Sequence, residues 1–225
     1  MDLHAFYRYV MPGLLVKFLY RVKIVGRENL PKKGGFILAI GPHTTDIESA
    51  AVAVALSRYK IRFFAKAEYW KTNRFVRFFM NSAAQIPIDR QDSISAHATL
   101  GNGALAMIKG DVPAFYPEGT RNRRDKFLRK GRTGVAFTAL SAAQALDDVV
   151  WIVPIGLIDF DTMRFPWQKG FVWRRWTLAV GQPIVVRFHK GIPIAVQARG
   201  ITDEVMHEIS RLSERPYRDE KLDII

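Results

Sequence analysis

His43 is the residue whose neighbours best suit it for chemistry. It follows an apolar run at 36–40 closed by Gly41-Pro42, which places it where a buried strand ends. A neutral imidazole there can take a proton from a hydroxyl near neutral pH. A carboxylate on its other nitrogen would fix the tautomer and stabilise the imidazolium that forms. Asp46 and Glu48 are the acidic candidates. Thr45 and Glu48 also have the spacing of a capping box, in which the two side chains satisfy backbone donors at a helix start. Relay and capping are both open to Glu48, and both can hold at once. For His43 taken alone, the plain alternative is a helix-start residue bonded to backbone.

A second group, Glu118, Gly119, Thr120 and Arg121, follows the apolar run 112–116. Arginine presents a planar fork that fits phosphate oxygens bidentately, and glycine lets a backbone approach a ligand closely. The alternative is a turn holding a buried Glu–Arg pair. Beyond it comes a dense basic run of Arg121, Arg123, Arg124, Lys126, Arg129, Lys130 and Arg132. His97, His189 and His207 show no partner pattern.

Other chemistries are absent from the sequence. The 225 residues include no cysteine, which removes thiol nucleophiles, thiolate zinc sites and disulfides. No Gly-x-Ser-x-Gly elbow, phosphate-binding Gly-Lys loop, Gly-x-Gly-x-x-Gly block or paired-His zinc spacing occurs. No metal or resident cofactor is expected. Lys and Arg number 34 against 21 Asp and Glu, a formal charge of +13 that calls for polyanionic partners. Five tryptophans and 12% aromatic residues favour an interface with lipid. Nucleic acid is disfavoured because no recognisable module accompanies the charge.

The elements that must position these residues alternate. Strands are expected at 36–40, 61–65, 86–88, 112–116, 149–157, 176–180 and 184–187. Helices are expected at 50–56, 69–82, 93–109, 133–146 and from Thr202 to before Pro216. This predicts an α/β fold: a mixed, mostly parallel sheet flanked by helices, with sites at the carboxyl ends of strands. Residues 1–25 are apolar and aromatic but interrupted by Arg8, Lys17, Arg21 and Lys23. A spanning helix needs about 20 predominantly apolar residues, so 1–25 is expected to be an amphipathic segment lying on a membrane, with 26–225 as the α/β domain.

In order along the chain, these motifs resemble those of the glycerolipid acyltransferases, a family that includes the lysophosphatidic acid acyltransferases. Gly41, Pro42, His43, Thr45 and Glu48 resemble the first motif, which is His, any residue, Ser or Thr, two residues, then Asp. Residues 86–90, ending in Asp89-Arg90, resemble the second, and residues 115–121 the Phe-Pro-Glu-Gly-Thr-Arg third. Residues 152–156, with Pro154, resemble the fourth. One position departs: Glu48 stands where the family has Asp. The extra methylene shifts the carboxylate by roughly 1.5 Å if nothing adjusts. A misplacement of about 1 Å can lower a rate roughly 100-fold.

The resemblance implies acyl transfer in phospholipid biosynthesis, from acyl-CoA or acyl carrier protein to a hydroxyl of a lysophosphatidic acid-like acceptor. His43 would be the general base and Glu48 its partner. Glu118, Gly119, Thr120 and Arg121 would bind the acceptor's phosphate and shape the site. Arg90 would be a second phosphate contact, and Lys66 would lie near the headgroup. The basic run would meet coenzyme A phosphates, an acidic carrier protein or anionic lipid, or be a solvated loop. The expected location is peripheral, on the cytoplasmic face of the cell membrane. With no evident nucleophile, direct attack of the acceptor on the thioester is the simpler course, with backbone amides near Gly119 as candidate oxyanion donors. A membrane- or lipid-binding pseudoenzyme is the alternative that Glu48 invites; an acyltransferase for another phosphate-bearing or glycolipid acceptor is a further one.

Overall fold

Every residue of β2, Ile37–Gly41, is buried. A strand of that kind needs cover on both faces and partners on both edges. Parallel β5 (Val112–Phe115) lies along one edge and parallel β6 (Val150–Ile158) along the other. The structure, a computed structural model, describes residues 22–45, 47–82, 84–89, 93–122, 126–162 and 175–217. β3 (Ile61–Lys66) pairs parallel with β5, and β4 (Ile86–Ile88) parallel with β3. On the other side β7 (Trp176–Val180) runs antiparallel to β6, and β1 (Val22–Val25) parallel to β7. The order is β1-β7-β6-β2-β5-β3-β4, with β8 (Ile184–Val186) antiparallel to the start of β6. This is the mixed, mostly parallel α/β sheet that the sequence predicts.

Alternate residues of β2 face opposite layers, as the two-residue period of a strand requires. Leu38 and Ile40 join a core with Val52 of α1 (Glu48–Ala55), Tyr59, Phe160 and Trp176. Ile37 and Ala39 face the second core, formed with α3 (Ser93–Ile108), α4 (Gly134–Leu146) and α5 (Ile194–Ser213). Pro154 is tolerated within β6 because the outer edge changes partner there. β8 pairing ends at Ile152 and β7 pairing starts at Ile155. The Pro154 carbonyl accepts from Gly181 on that edge, so its missing N–H faces the break in the ladder.

Three elements differ from the sequence reading by more than a residue or two at an end. Val22–Val25, assigned above to the amphipathic segment, is a strand of the sheet, while residues 1–21 lie outside the described part. The helix expected over 69–82 is two pieces, a 3-10 turn at Ala67–Lys71 and α2 at Arg74–Ser82. Asn73 divides them: its Oδ1 accepts from Val76 N at 2.8 Å, the bond of a helix N-cap. α5 begins at Ile194, not at Thr202. Thr202 does not cap; its hydroxyl donates back to the Ala198 carbonyl at 2.6 Å, within an established helix. Among the described residues, no helix is long and apolar enough to cross a membrane.

Candidate active site

Parallel pairing of β2 with β5 sets Ala39 opposite Phe115, so the chain leaves both strands side by side at their carboxyl ends. His43 comes from the first exit and Tyr116 to Gly119 from the second. The two imidazole faces are not equivalent: one stacks on the Tyr116 ring, 4.1 Å between centroids and 18° between planes. The peptide of residue 43 is held from the β5 side as well. His43 N donates to Glu118 Oε1 at 2.9 Å, and Asn122 N donates to the His43 carbonyl at 2.6 Å.

Glu48, at the first position of α1, is fully buried and meets His43 Nδ1 through Oε1. Its other oxygen, Oε2, accepts from Thr45 N at 3.0 Å and Thr44 N at 3.1 Å, with the Thr44 hydroxyl at 3.2 Å. One carboxylate thus holds the ring and the turn that leads into α1, but the expected capping box does not form: α1 starts at Glu48 itself, with Ile47 before it and no side-chain cap. The longer side chain, in the position where the resembling family has Asp, still reaches the imidazole. Asp46 lies outside the described residues.

Glu118 is buried and also fully engaged. Its Oε2 accepts from Asn122 Nδ2 at 2.9 Å and from Arg129 N at 3.1 Å. In this arrangement Glu118 ties the His43 backbone to the loop that follows β5, and its carboxylate does not face open space. Asn122 completes the tie, donating from the same Nδ2 to the Phe127 carbonyl at 2.7 Å.

A cleft of about 220 Å³ opens at this point, lined by His43, Tyr116, Gly119, Arg132 and Gly134, with Phe64, Ile88 and Leu100 as an apolar wall. The His43 side chain is 20% exposed to it, whereas Glu48 behind the ring has no exposure. Gly119 has φ +70 and donates its N–H to the Tyr116 carbonyl at 2.9 Å, so that amide is occupied and is not a free oxyanion donor. Thr120 is exposed, and Arg121 is half-buried with an interaction of its own; neither lines the cleft. Lys66 is exposed at the end of β3, in register with Ile88 of the apolar wall. Arg90, Arg123 and Arg124 lie outside the described residues. Among the described residues, no group of three or more His, Asp or Glu could hold a metal ion.

The sequence reading missed Tyr116, Asn122 and the separate position of Arg132 within the basic run. The pKa of Tyr116 is displaced. Loss of water around its phenol pushes it well above the usual value, and the charge of Glu48 adds to that. A hydrogen bond donated by Ser49 Oγ, 3.1 Å away, opposes both. The residue as a whole keeps partial exposure, so the direction rests on the inward end of the ring, where Ser49 and Glu48 lie.

The sheet places a histidine and a buried carboxylate beside an open cleft at its strand ends, an α/β fold with a candidate active site. The chain belongs to the acyltransferase family, whose family model matches residues 21–158. It is similar to the 1-acyl-sn-glycerol-3-phosphate acyltransferase of Bacillus subtilis (strain 168), 26% identical over 115 residues. That alignment covers 51% of this chain and 56% of the relative, so the chain spans about half the length of the curated relative it matches. It also resembles the crystal structure of the 1-acyl-sn-glycerophosphate (LPA) acyltransferase PlsC from Thermotoga maritima. There the TM-score is 0.66 and the identity 18%, over 95% of this chain and 80% of the other. At that identity the likeness establishes the fold.

Proposed function

We propose that this acyltransferase moves a fatty acyl group from an acyl thioester, on coenzyme A or a carrier protein, to a hydroxyl of a lysophosphatidic acid-like acceptor. The observation that carries the reading is the contact of His43 Nδ1 with buried Glu48 while the ring stands partly exposed in the cleft. With Nδ1–H donating to Glu48, the lone pair is on Nε2, which takes the proton of the acceptor hydroxyl as its oxygen attacks the thioester carbonyl. The tetrahedral intermediate then collapses. The carbon–sulfur bond breaks, and the imidazolium returns the proton to the departing thiolate. First-turn amides of α4 have no acceptor within the helix, and Gly134 and Val135 line the same cleft, so they are the donors assigned to the oxyanion. The apolar wall of Phe64, Ile88 and Leu100 suits an acyl chain.

The named acceptor of the Bacillus relative supports lysophosphatidic acid as the first substrate to try. The pseudoenzyme alternative loses its motive, because Glu48 reaches the ring. Peripheral association with an anionic membrane, on the cytoplasmic face, completes the proposal and rests on the net charge of +13. The test is an assay of purified protein with acyl-CoA and acyl-carrier donors over lysophosphatidic acid, glycerol phosphate, monoacylglycerol and a glycolipid. Preferred transfer to lysophosphatidic acid is expected. Transfer to none of these acceptors from either donor would refute it.

A further inference from the structure

Near the end of the basic run the chain reaches Gly131, and there it is pinned to α5. Arg199 of α5 donates from Nη1 to the Gly131 carbonyl at 2.8 Å. Arg199 is itself held by Asp203 one turn along, Nε to Oδ2 at 3.0 Å. One residue later, Arg132 N donates to the Pro117 carbonyl at 2.7 Å. The backbone of residue 132 is thus fixed between α5 and the loop that carries Glu118.

The Arg132 side chain is committed differently. It lies across Gly119, so close that a Cβ built there would stand 2.5 Å from its Cδ and 2.6 Å from its Nε. It is exposed and lines the His43 cleft. Among the described residues its guanidinium makes no hydrogen bond or ion pair. Arg121 of the Glu-Gly-Thr-Arg block, by contrast, is half-buried, engaged and away from the lining. A guanidinium with a fixed root, a stem laid along a glycine and open donors in a catalytic cleft suits two oxygens of one phosphate. The positive end of α4, starting two residues on, favours the same charge.

We propose that Arg132 binds a substrate's phosphate monoester in the His43 cleft. The proposal rests on the acyl-transfer reading above, in which two molecules carry such a group: the lysophosphatidic acid acceptor, and coenzyme A on its ribose. It also gives Gly119 a reason beyond its positive φ, since any side chain there would displace Arg132.

The experiment compares the parent protein with Arg132→Gln and Arg132→Lys. The side chain is exposed, so the melting temperatures should match. KM and kcat are measured for lysophosphatidic acid against monoacylglycerol, and for acyl-CoA against acyl-pantetheine. Arg132→Gln is expected to raise KM for a phosphate-bearing substrate about 10-fold or more, the scale of a lost charged hydrogen bond, with kcat little changed. Its phosphate-free counterpart should not respond, and Arg132→Lys should recover part of the loss. A rise confined to lysophosphatidic acid assigns the phosphate to the acceptor, and one confined to acyl-CoA assigns it to the donor. Either supports the proposal. Unchanged KM throughout, or equal loss with the phosphate-free partners, overturns it. If the parent transfers no acyl group, the acyl-transfer reading has failed separately. Calorimetric titration of parent and Arg132→Gln with glycerol phosphate and with adenosine bisphosphate then decides Arg132 alone. Weaker binding by the variant supports the role, and equal binding overturns it.

Discussion

Glu48 and Tyr116 grip the same imidazole in different ways, and the difference fixes what each substitution should do. Glu48 is an acceptor for the ring and for two threonine N–H groups. In Glu48→Gln the remaining oxygen is drawn to the threonine donors, which turns the NH2 toward His43. That arrangement favours a lone pair on Nδ1 and leaves the Nε2 side protonated, so kcat should fall by at least about 100-fold. Loss of the charge at the start of α1 should also lower stability by roughly 1 kcal/mol. Steady-state kinetics and urea unfolding read the two effects. Tyr116 acts through burial. Its native pKa lies above that of the unfolded chain, so below pH about 10 the stability is unaffected by it. As pH rises past that value the unfolded phenol ionises first, and stability should fall by up to about 1.4 kcal/mol per pH unit until the native phenol also ionises. Tyr116→Phe should remove that part of the alkaline loss, seen as the parent–variant difference in thermal melts from pH 8 to 11.

Among the elements, the strand ends carried most of what the sequence could reveal. His43 and Glu118-Gly119 were legible because each follows a short apolar run that could only be a buried strand, and the Thr45–Glu48 spacing is local. Tyr116 and Arg132 were not, because their roles depend on which strands are neighbours. Only the β2–β5 pairing puts Tyr116 against His43, and only the pinning of the chain at Gly131 by α5 puts Arg132 across Gly119. β1 was lost for another reason: its four residues, of alternating exposure, follow directly on the apolar and basic residues before them and carry little signal of their own. α5 was read short because Thr202-Asp203-Glu204 imitates a helix start, though its hydroxyl is turned back into the helix. The close seat of α5 on β6 gives the element its own test. A Cβ on Gly156 would stand 2.4 Å from Leu212 C and 2.6 Å from Ser213 N, both backbone atoms that cannot swing away. Gly156→Ala should therefore cost roughly 1–3 kcal/mol as overpacking. Gly101→Ala in α3, with nothing within 4 Å of the added carbon, should instead stabilise by up to about 1 kcal/mol. Denaturant midpoints of the two variants should move in opposite directions.

At the scale of the whole molecule, a charge of +13 favours polyanionic partners, and the proposal offers two kinds, substrate phosphates and an anionic lipid surface. Arg74 and Arg77 stand exposed on α2 beside exposed Phe78, a combination suited to anionic headgroups over an apolar layer. The chain should sediment with vesicles containing anionic phospholipid and leave them at about 0.5 M salt, where screening is short-ranged. Replacing Arg74 and Arg77 by Gln should weaken binding by about 1 kcal/mol for each charge removed. The proposed transfer makes one demand at the scale of atoms, a base at His43. The decisive measurement is thioester-dependent acylation of lysophosphatidic acid by the parent and by His43→Ala, with melting temperatures compared. A loss of about 1,000-fold or more in kcat with the fold intact is the predicted result, the scale expected when an essential base is removed. Turnover by His43→Ala at the parent's rate would contradict the account.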